Sequence, residues 1–267
     1  MMIGITLALN AAEARLQIAA SDSEGRMLFA QEWQAESKGT ELLAPALHSA
    51  LHILNIPVQD IARVACVHGP GNFTGLRLVL ATAAGLSRAV NAEQGGIPYL
   101  PLLAYNALAG IMPDEGTLLW TLSHARRGLV YGQGFRVPSR NADPCAPVCG
   151  VAVLRLAENS GCADFIARHS GASPLLLLGS GVSRNENYFA EHLPQANRLP
   201  SRLDHPTPAV LLEYARNIPY GREDIPPMYI RPCDAEENLP EIAASLRLDP
   251  QKAQQKLRKL TSAFPVP

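Results

Sequence analysis

What the 267-residue sequence lacks narrows its nature first. It has no uninterrupted apolar run near the roughly 20 residues that cross a bilayer, and no charged stretch followed by an apolar one at its start. A cytoplasmic protein that does not engage a membrane is the expectation. Neither charge is in excess: 23 Lys and Arg stand against 24 Asp and Glu, a formal net charge of −1. That balance argues against a chain that grips nucleic acid unaided through a broad basic surface. Cysteine is scarce, with five scattered along the chain. Cys145 and Cys149 lie four apart in a proline-rich stretch without a second pair at zinc-finger spacing, so isolated reduced thiols are expected. No GxSxG nucleophile elbow, no GxGxxG fingerprint and no P-loop lysine occur.

With 47% hydrophobic and 18% charged residues, the chain has an ordinary globular composition. Its most informative stretch is Gly69-Pro70-Gly71-Asn72-Phe73-Thr74-Gly75-Leu76-Arg77. An apolar run (Ile61 to Val67) precedes it and an Ala/Leu-rich run (Leu78 to Val90) follows, an order that reads as strand, glycine turn, helix. Gly69, Gly71 and Gly75, with Asn72 and Thr74 between them, leave backbone N–H groups bare at a helix start. Such a start binds an anion or lets another backbone come close. A tight connection with no ligand gives the same pattern.

Alternation and apolar runs predict a hairpin from Ile3 to Leu9 and Arg15 to Ala20, then a strand from Met27 to Gln34. Helical spacing follows from Thr40 to Leu54, then a strand from Ile61 to His68, the glycine turn, a helix to about Val90 and a strand from Ile97 to Leu100. Further on come a helix from Leu102 to Ile111, strands at Leu118 to Leu122, Gly128 to Phe135 and Leu175 to Leu178, and helices near 161–169 and 208–217. Arg136 to Pro147 reads as an exposed loop. An extended Pro227 to Pro232 leads to an amphipathic helix from Pro250 to Leu260 carrying Lys252, Lys256, Arg258 and Lys259. That basic face reads as solvated, with RNA contact as the alternative. The units are 1–101, 102–225 and 226–267.

Three segments in order carry a family resemblance. The stretch from Gly69 to Arg77 is similar to the GPGSFTGLR segment of the TsaB (YeaZ-type) proteins. Ala125-Arg126-Arg127-Gly128-Leu129-Val130-Tyr131 resembles their DARxGEVY strand pair, and Pro227-Met228-Tyr229-Ile230-Arg231 their PxYxR. The resemblance implies an α/β protein of the actin-like ATPase (ASKHA, ribonuclease H-like) superfold, with two lobes that are each a mixed sheet with helices. It implies a non-catalytic subunit that supports a TsaD-type transferase making N6-threonylcarbamoyladenosine (t6A37) on tRNA. A TsaE-type ATPase would join the assembly, a homodimer would form in isolation, and tRNA would be met only through the complex.

The chain departs from that family where carboxylates would hold magnesium. The family hairpin DTATEA corresponds to Leu9-Asn10-Ala11-Ala12-Glu13-Ala14, and His124 stands at the second acidic position. Gly39 replaces a common histidine. The metal-binding HxxxH of the catalytic relatives falls on Ala104 and Leu108, while His48 and His52 lie elsewhere and read as surface histidines. No metal, cofactor or catalytic residue is expected. On the helix after the glycine turn, Ala81, Ala84, Gly85 and Arg88 share a small-residue side, opposite Leu76, Val79, Leu80, Ala83 and Leu86. By resemblance the partner interface comprises Leu43, Leu47, Ala50, Phe73, Leu76, Arg77, Ala81, Ala84, Gly85 and Arg88. Two other readings stay open: a nucleotide bound at Gly71 to Arg77 with weak ATPase activity, and a homodimer with another partner.

Overall fold

The computed structural model describes residues 4–34, 38–111, 113–138, 146–157, 161–231 and 238–263. Most of the loop expected from Arg136 to Pro147, Cys145 included, lies outside these residues, as do Pro232 and Cys233. The chain forms one unit of Met1–Met228 and a second of Tyr229–Pro267.

The first sheet contains β1 (Ile5–Asn10), β2 (Arg15–Ser21), β3 (Met27–Gln34), β4 (Ile61–Gly69) and β5 (Glu93–Pro98), in the order β3-β2-β1-β4-β5. β1, β2 and β3 pair antiparallel, whereas β1, β4 and β5 pair parallel. All six residues of β1 are buried, as a central strand covered on both faces requires. Leu7, Leu9, Leu16, Ile18 and Val64 form a core with Leu43, Leu47 and Leu51 of α1 (Gly39–Ile53) and Val79 and Ala83 of α2 (Phe73–Val90). α3 (Tyr99–Gly110) links the two sheets.

The second sheet contains β6 (Leu118–Arg126), β7 (Leu129–Arg136), β8 (Ala146–Pro147), β9 (Ala152–Arg155), β10 (Leu175–Leu178) and β11 (Asn197–Arg198). Its order is β11-β10-β6-β7-β8, with β9 also on β7. β7 runs antiparallel to β6 and to β9, and β10 parallel to β6 and β11. Matching β6, β7, β9, β10 and β11 to β1 through β5 reproduces the first sheet strand for strand, although the sequence shows no repeat. Trp120, Phe189 and Leu177 are fully buried in its core with Ile166 of α4 (Cys162–Ser170). The short α5 (Ser180–Ser183) and α6 (Glu186–His192) follow β10, and α7 (Pro208–Arg216) comes after β11.

Two expectations are corrected. The strand placed at Ile97 to Leu100 begins earlier, at Glu93, and Tyr99 already opens α3. Gly95-Gly96 disguises it, because glycine pairs usually break strands. Here a Cβ at Gly95 would lie 2.7 Å from the Ile218 side chain and one at Gly96 2.9 Å from Ile225, so bare backbone lets a strap of residues 217–228 lie across β5. Gln94 and Gly221 exchange backbone hydrogen bonds of 2.7 and 2.9 Å. Nor does the second lobe own everything from 102 to 225. α7 packs on β1, β2 and β3, so the chain returns to the first sheet to cover it.

α2 is 18 residues long with a mean hydropathy of 1.2, closer to a membrane span than the sequence reading allows. Leu76, Val79, Ala83 and Ser87 form a buried stripe on it. The free thiols of Cys66 and Cys162 are buried and pushed up to about 12 by desolvation, which makes them inert. In the second unit, α8 (Leu239–Ser245) packs on α9 (Pro250–Ala263). Asp249 caps α9, its Oδ1 accepting from the N–H groups of Gln251 (2.9 Å) and Lys252 (3.3 Å).

Candidate functional site

The glycine turn packs against the β1–β2 hairpin. The Asn72 N–H donates to the Ala12 carbonyl at 2.6 Å, and the Asn72 side chain caps α2 by accepting from the Gly75 N–H at 2.9 Å. A Cβ at Gly71 would collide with the Ala12 carbonyl oxygen, and one at Gly75 with that of Ala11. Of the readings left open for Gly69, Gly71, Asn72, Thr74 and Gly75, the close approach of a second backbone therefore holds. The Ala11 and Ala12 carbonyl oxygens lie beside this helix start, and their partial charge disfavours an anion there. The second lobe repeats the device. Gly179 and Gly181 follow β10 and lie against the Leu122 carbonyl of β6.

Between the two turns the hairpin tip presents Glu13, whose side chain is 10% exposed. Its carboxylate accepts hydrogen bonds from the Ser180 hydroxyl and from the Tyr99 hydroxyl (3.0 Å), and His205 Nδ1 lies 3.1 Å away. The Ser180 oxygen in turn accepts from the His124 N–H at 2.9 Å. One carboxylate of the first lobe thus ties down groups from the second lobe and from the segment joining it to α7. Asn106 fixes that segment, donating to the carbonyls of Leu203 and His205 (3.1 Å each) and accepting from the Thr207 N–H (3.2 Å). Asp204 accepts from the Gly179 N–H (3.1 Å) and the Ser183 hydroxyl (2.6 Å). Burial raises its carboxyl above the usual range, against the opposing pull of those two bonds.

A cavity of about 230 Å³ opens beside Glu13, lined also by Arg15, Asn72, His124, Arg184 and His205. His124 sits at its mouth near the end of β6. Burial first, then the Arg184 charge, hold its imidazole below 6.5, and the nearby Glu13 pulls the other way. The hairpin comparison shifts by one residue. Leu9 is wholly buried in the core, so the polar strand-end position belongs to Asn10. Asn10 donates to Gln17 at 2.7 Å and accepts from the Ala12 N–H at 3.0 Å. An amide and an imidazole thus stand at the ends of β1 and β6.

The predicted interface residues divide. Leu43, Leu47, Ala50 and Leu76 are 1–6% exposed and belong to the chain's own core, so a surface role for them is corrected. They share the helix faces that cover the first sheet, which apolarity alone does not distinguish from a docking face. Phe73, Arg77, Ala81, Gly85 and Arg88 are exposed, Ala84 is half-buried, and nothing lies within 4 Å of a Cβ placed on Gly85. The Arg77 guanidinium stacks 3.9 Å over the Phe73 ring. Arg88 pairs with Asp224 of the strap at 2.6 Å. His48 and His52 are exposed and stacked, with ring centroids 6.2 Å apart. Sequence reasoning missed Tyr99, Asn106, Ser180, Asp204 and His205. No motif marks them, because they converge only when both lobes are folded.

Two sheets of one strand order, each with a glycine turn against its own hairpin, facing each other across a cleft, define an α/β protein of the actin-like (ASKHA) superfold. Residues 34–164 match the model of the TsaD family, described as tRNA N6-adenosine threonylcarbamoyltransferase. The TsaB of Bacillus subtilis, called a tRNA threonylcarbamoyladenosine biosynthesis protein, is 31% identical over 87 residues, 33% of this chain and 36% of that one. An uncharacterized protein of Mycobacterium leprae is 32% identical over 145 residues, 53% of this chain and 38% of that one. The chain thus spans well under half the length of the curated relatives it matches. YeaZ from Pseudomonas aeruginosa superposes with a TM-score of 0.63 at 20% identity, covering 85% of this chain and all of that one. The chain is thus similar to the TsaD and TsaB proteins over part of its length and shares the fold of YeaZ.

Proposed function

We propose that the chain is a non-catalytic cytoplasmic subunit in the formation of N6-threonylcarbamoyladenosine on tRNA. It docks on a TsaD-type transferase, and a TsaE-type ATPase joins the assembly. In isolation the same surface pairs two copies of the chain. The observation that carries the reading is the outer side of α2, where Ala81 and Gly85 are exposed between Phe73, Arg77 and Arg88. A second helix can approach closely over such a surface and gain dispersion contacts at small conformational cost. Binding there stabilises whichever state of the partner offers the complementary face.

The cleft supports the non-catalytic part. Its strand ends carry Asn10 and His124 where a phosphate-bridging cation would want carboxylates. The helix start that would cradle phosphates faces the Ala11 and Ala12 carbonyls. Both features disfavour the nucleotide reading.

The test is co-purification with the TsaD-type protein of the same organism, sized by light scattering. A 1:1 complex is expected, lost in Ala84→Glu and in Gly85→Glu while both variants stay folded. Failure to associate, with ATP and the remaining pathway proteins present, would sink the proposal. Magnesium-dependent ATP binding by the isolated chain would replace it with the nucleotide reading.

A further inference from the structure

Lysine is nearly absent from this chain until its end. Of four lysines, Lys38 stands alone and Lys252, Lys256 and Lys259 fall within eight residues. All three lie on α9. At 100° per residue they share an arc of about 60° and a length of about 10 Å. All three are exposed. Asp249, the acid nearest in sequence, is engaged in capping the helix. Ala253 and Leu257 lie to one side of the stripe and are half-buried, as the packing of α9 on α8 requires.

We propose that this lysine stripe is a docking surface for the phosphate backbone of RNA. The choice of RNA among polyanions rests on the tRNA-modification reading above. Lysine is a compact point charge on a flexible stem, suited to phosphates whose positions vary. Gln255, about 40° from Lys259 around the helix, adds a donor for phosphate and sugar oxygens, groups that position a protein without reading sequence. Residues 238–263 contain no aromatic side chain, so this helix pair itself offers bases nothing to stack on. Binding is therefore weak, salt-sensitive and indifferent to sequence. A bilayer would call for an open apolar side on the same helix, and the half-buried Ala253 and Leu257 oppose that. Exposed Leu246 and Leu248 on the preceding turn make an anionic membrane the competitor to test.

The experiment measures fluorescence anisotropy of a labelled, unmodified tRNA transcript with the full chain, alone and with its TsaD-type partner, from 50 to 200 mM salt. The variant is Lys252→Gln/Lys256→Gln/Lys259→Gln, its helicity checked by circular dichroism. Three phosphate contacts account for about a 40-fold loss of affinity over that salt range. The variant is expected to lower the slope of log affinity against log salt by about 2–3. A second transcript of unrelated sequence should bind equally.

Absence of wild-type binding at 50 mM salt, or an unchanged slope in the variant, overturns the inference. So does tighter binding to 1:1 phosphatidylglycerol–phosphatidylcholine vesicles than to RNA. If the subunits assemble by light scattering while the slope is unchanged, only the RNA surface fails. If the slope falls but no complex forms, the proposed function fails and the RNA surface stands.

Discussion

Replacing Gly71 by alanine tests whether the glycine turn exists for close approach. The added Cβ would lie 2.9 Å from both the carbonyl carbon and the Cα of Ala12, and closer still to its oxygen. All three are backbone atoms of a hairpin held by the buried Asn10–Gln17 bond, so they cannot rotate away. Overpacking of this kind costs about 1–3 kcal/mol. Moving the strands apart also lengthens the 2.6 Å bond from the Asn72 N–H to the Ala12 carbonyl, adding about 1 kcal/mol. The expected loss is therefore about 2–4 kcal/mol. For a unit the size of Met1–Met228, the unfolding entropy is about 0.5 kcal/mol/K, which makes the fall in Tm about 4–8 °C. Gly85→Ala is the control. Its Cβ meets nothing within 4 Å and it is an exposed position inside α2, where alanine is preferred by about 0.5–1 kcal/mol, so Tm should rise by about 1–2 °C. Calorimetry of both variants decides. A Gly71→Ala protein melting within 1 °C of the parent, or a Gly85→Ala protein falling as far, would refute the reasoning.

Glu13→Gln keeps the shape of the side chain but removes the charge that holds Ser180, Tyr99 and His205. It should cost about 1–3 kcal/mol, seen as a Tm lower by several degrees, and an unchanged melt would mean the carboxylate does not fasten the lobes. Burial holds the imidazoles of His68 and His124 below 6.5, so the folded chain binds fewer protons there than the unfolded chain. Their contribution is complete above 6.5 and lost as pH falls through that value toward the lowered folded-state ones. Denaturant titrations at pH 7 and pH 5 should register this loss, and His68→Asn/His124→Asn should flatten it. Asp204 has the opposite sign. Its raised carboxyl gives stability below 3.8 that is lost as pH rises through the folded-state value. Asp204→Asn, which can still accept from Gly179 and donate to Ser183, should fold and lack that loss. A pH profile identical to the parent's would contradict the assignment.

The first lobe was legible because each of its elements is a local pattern. Alternation marks β1 and β2, helical spacing marks α1, and glycines separate β4 from α2. The apolar runs of β6 and β10 were equally plain. β5 was obscured by Gly95 and Gly96, whose purpose is the strap, more than 120 residues away in sequence. β9 has only four residues, and α6 and α8 seven each, too short for periodicity to register. In the candidate site, Gly71 and Asn72 announced themselves through spacing, and the outer side of α2 through small residues. The cleft network did not, because Glu13 and Ser180 stand 167 positions apart and no local rule connects them. Leu43 and Leu76 show the converse limit. An apolar residue on a helix is bound for some interface, and only the packed chain tells whether that interface is its own.

The return of the chain to the first sheet has a consequence during synthesis. Strands β1 to β5 leave the ribosome first, yet the helix that covers one of their faces and the strap that seals β5 are about a hundred residues further along. The second sheet, by contrast, is contiguous from β6 to β11 and can close while translation continues. The lobe made first is thus the last to be finished, and until residue 228 emerges its β5 edge and the face awaiting α7 stand open to chaperones and to neighbouring nascent chains.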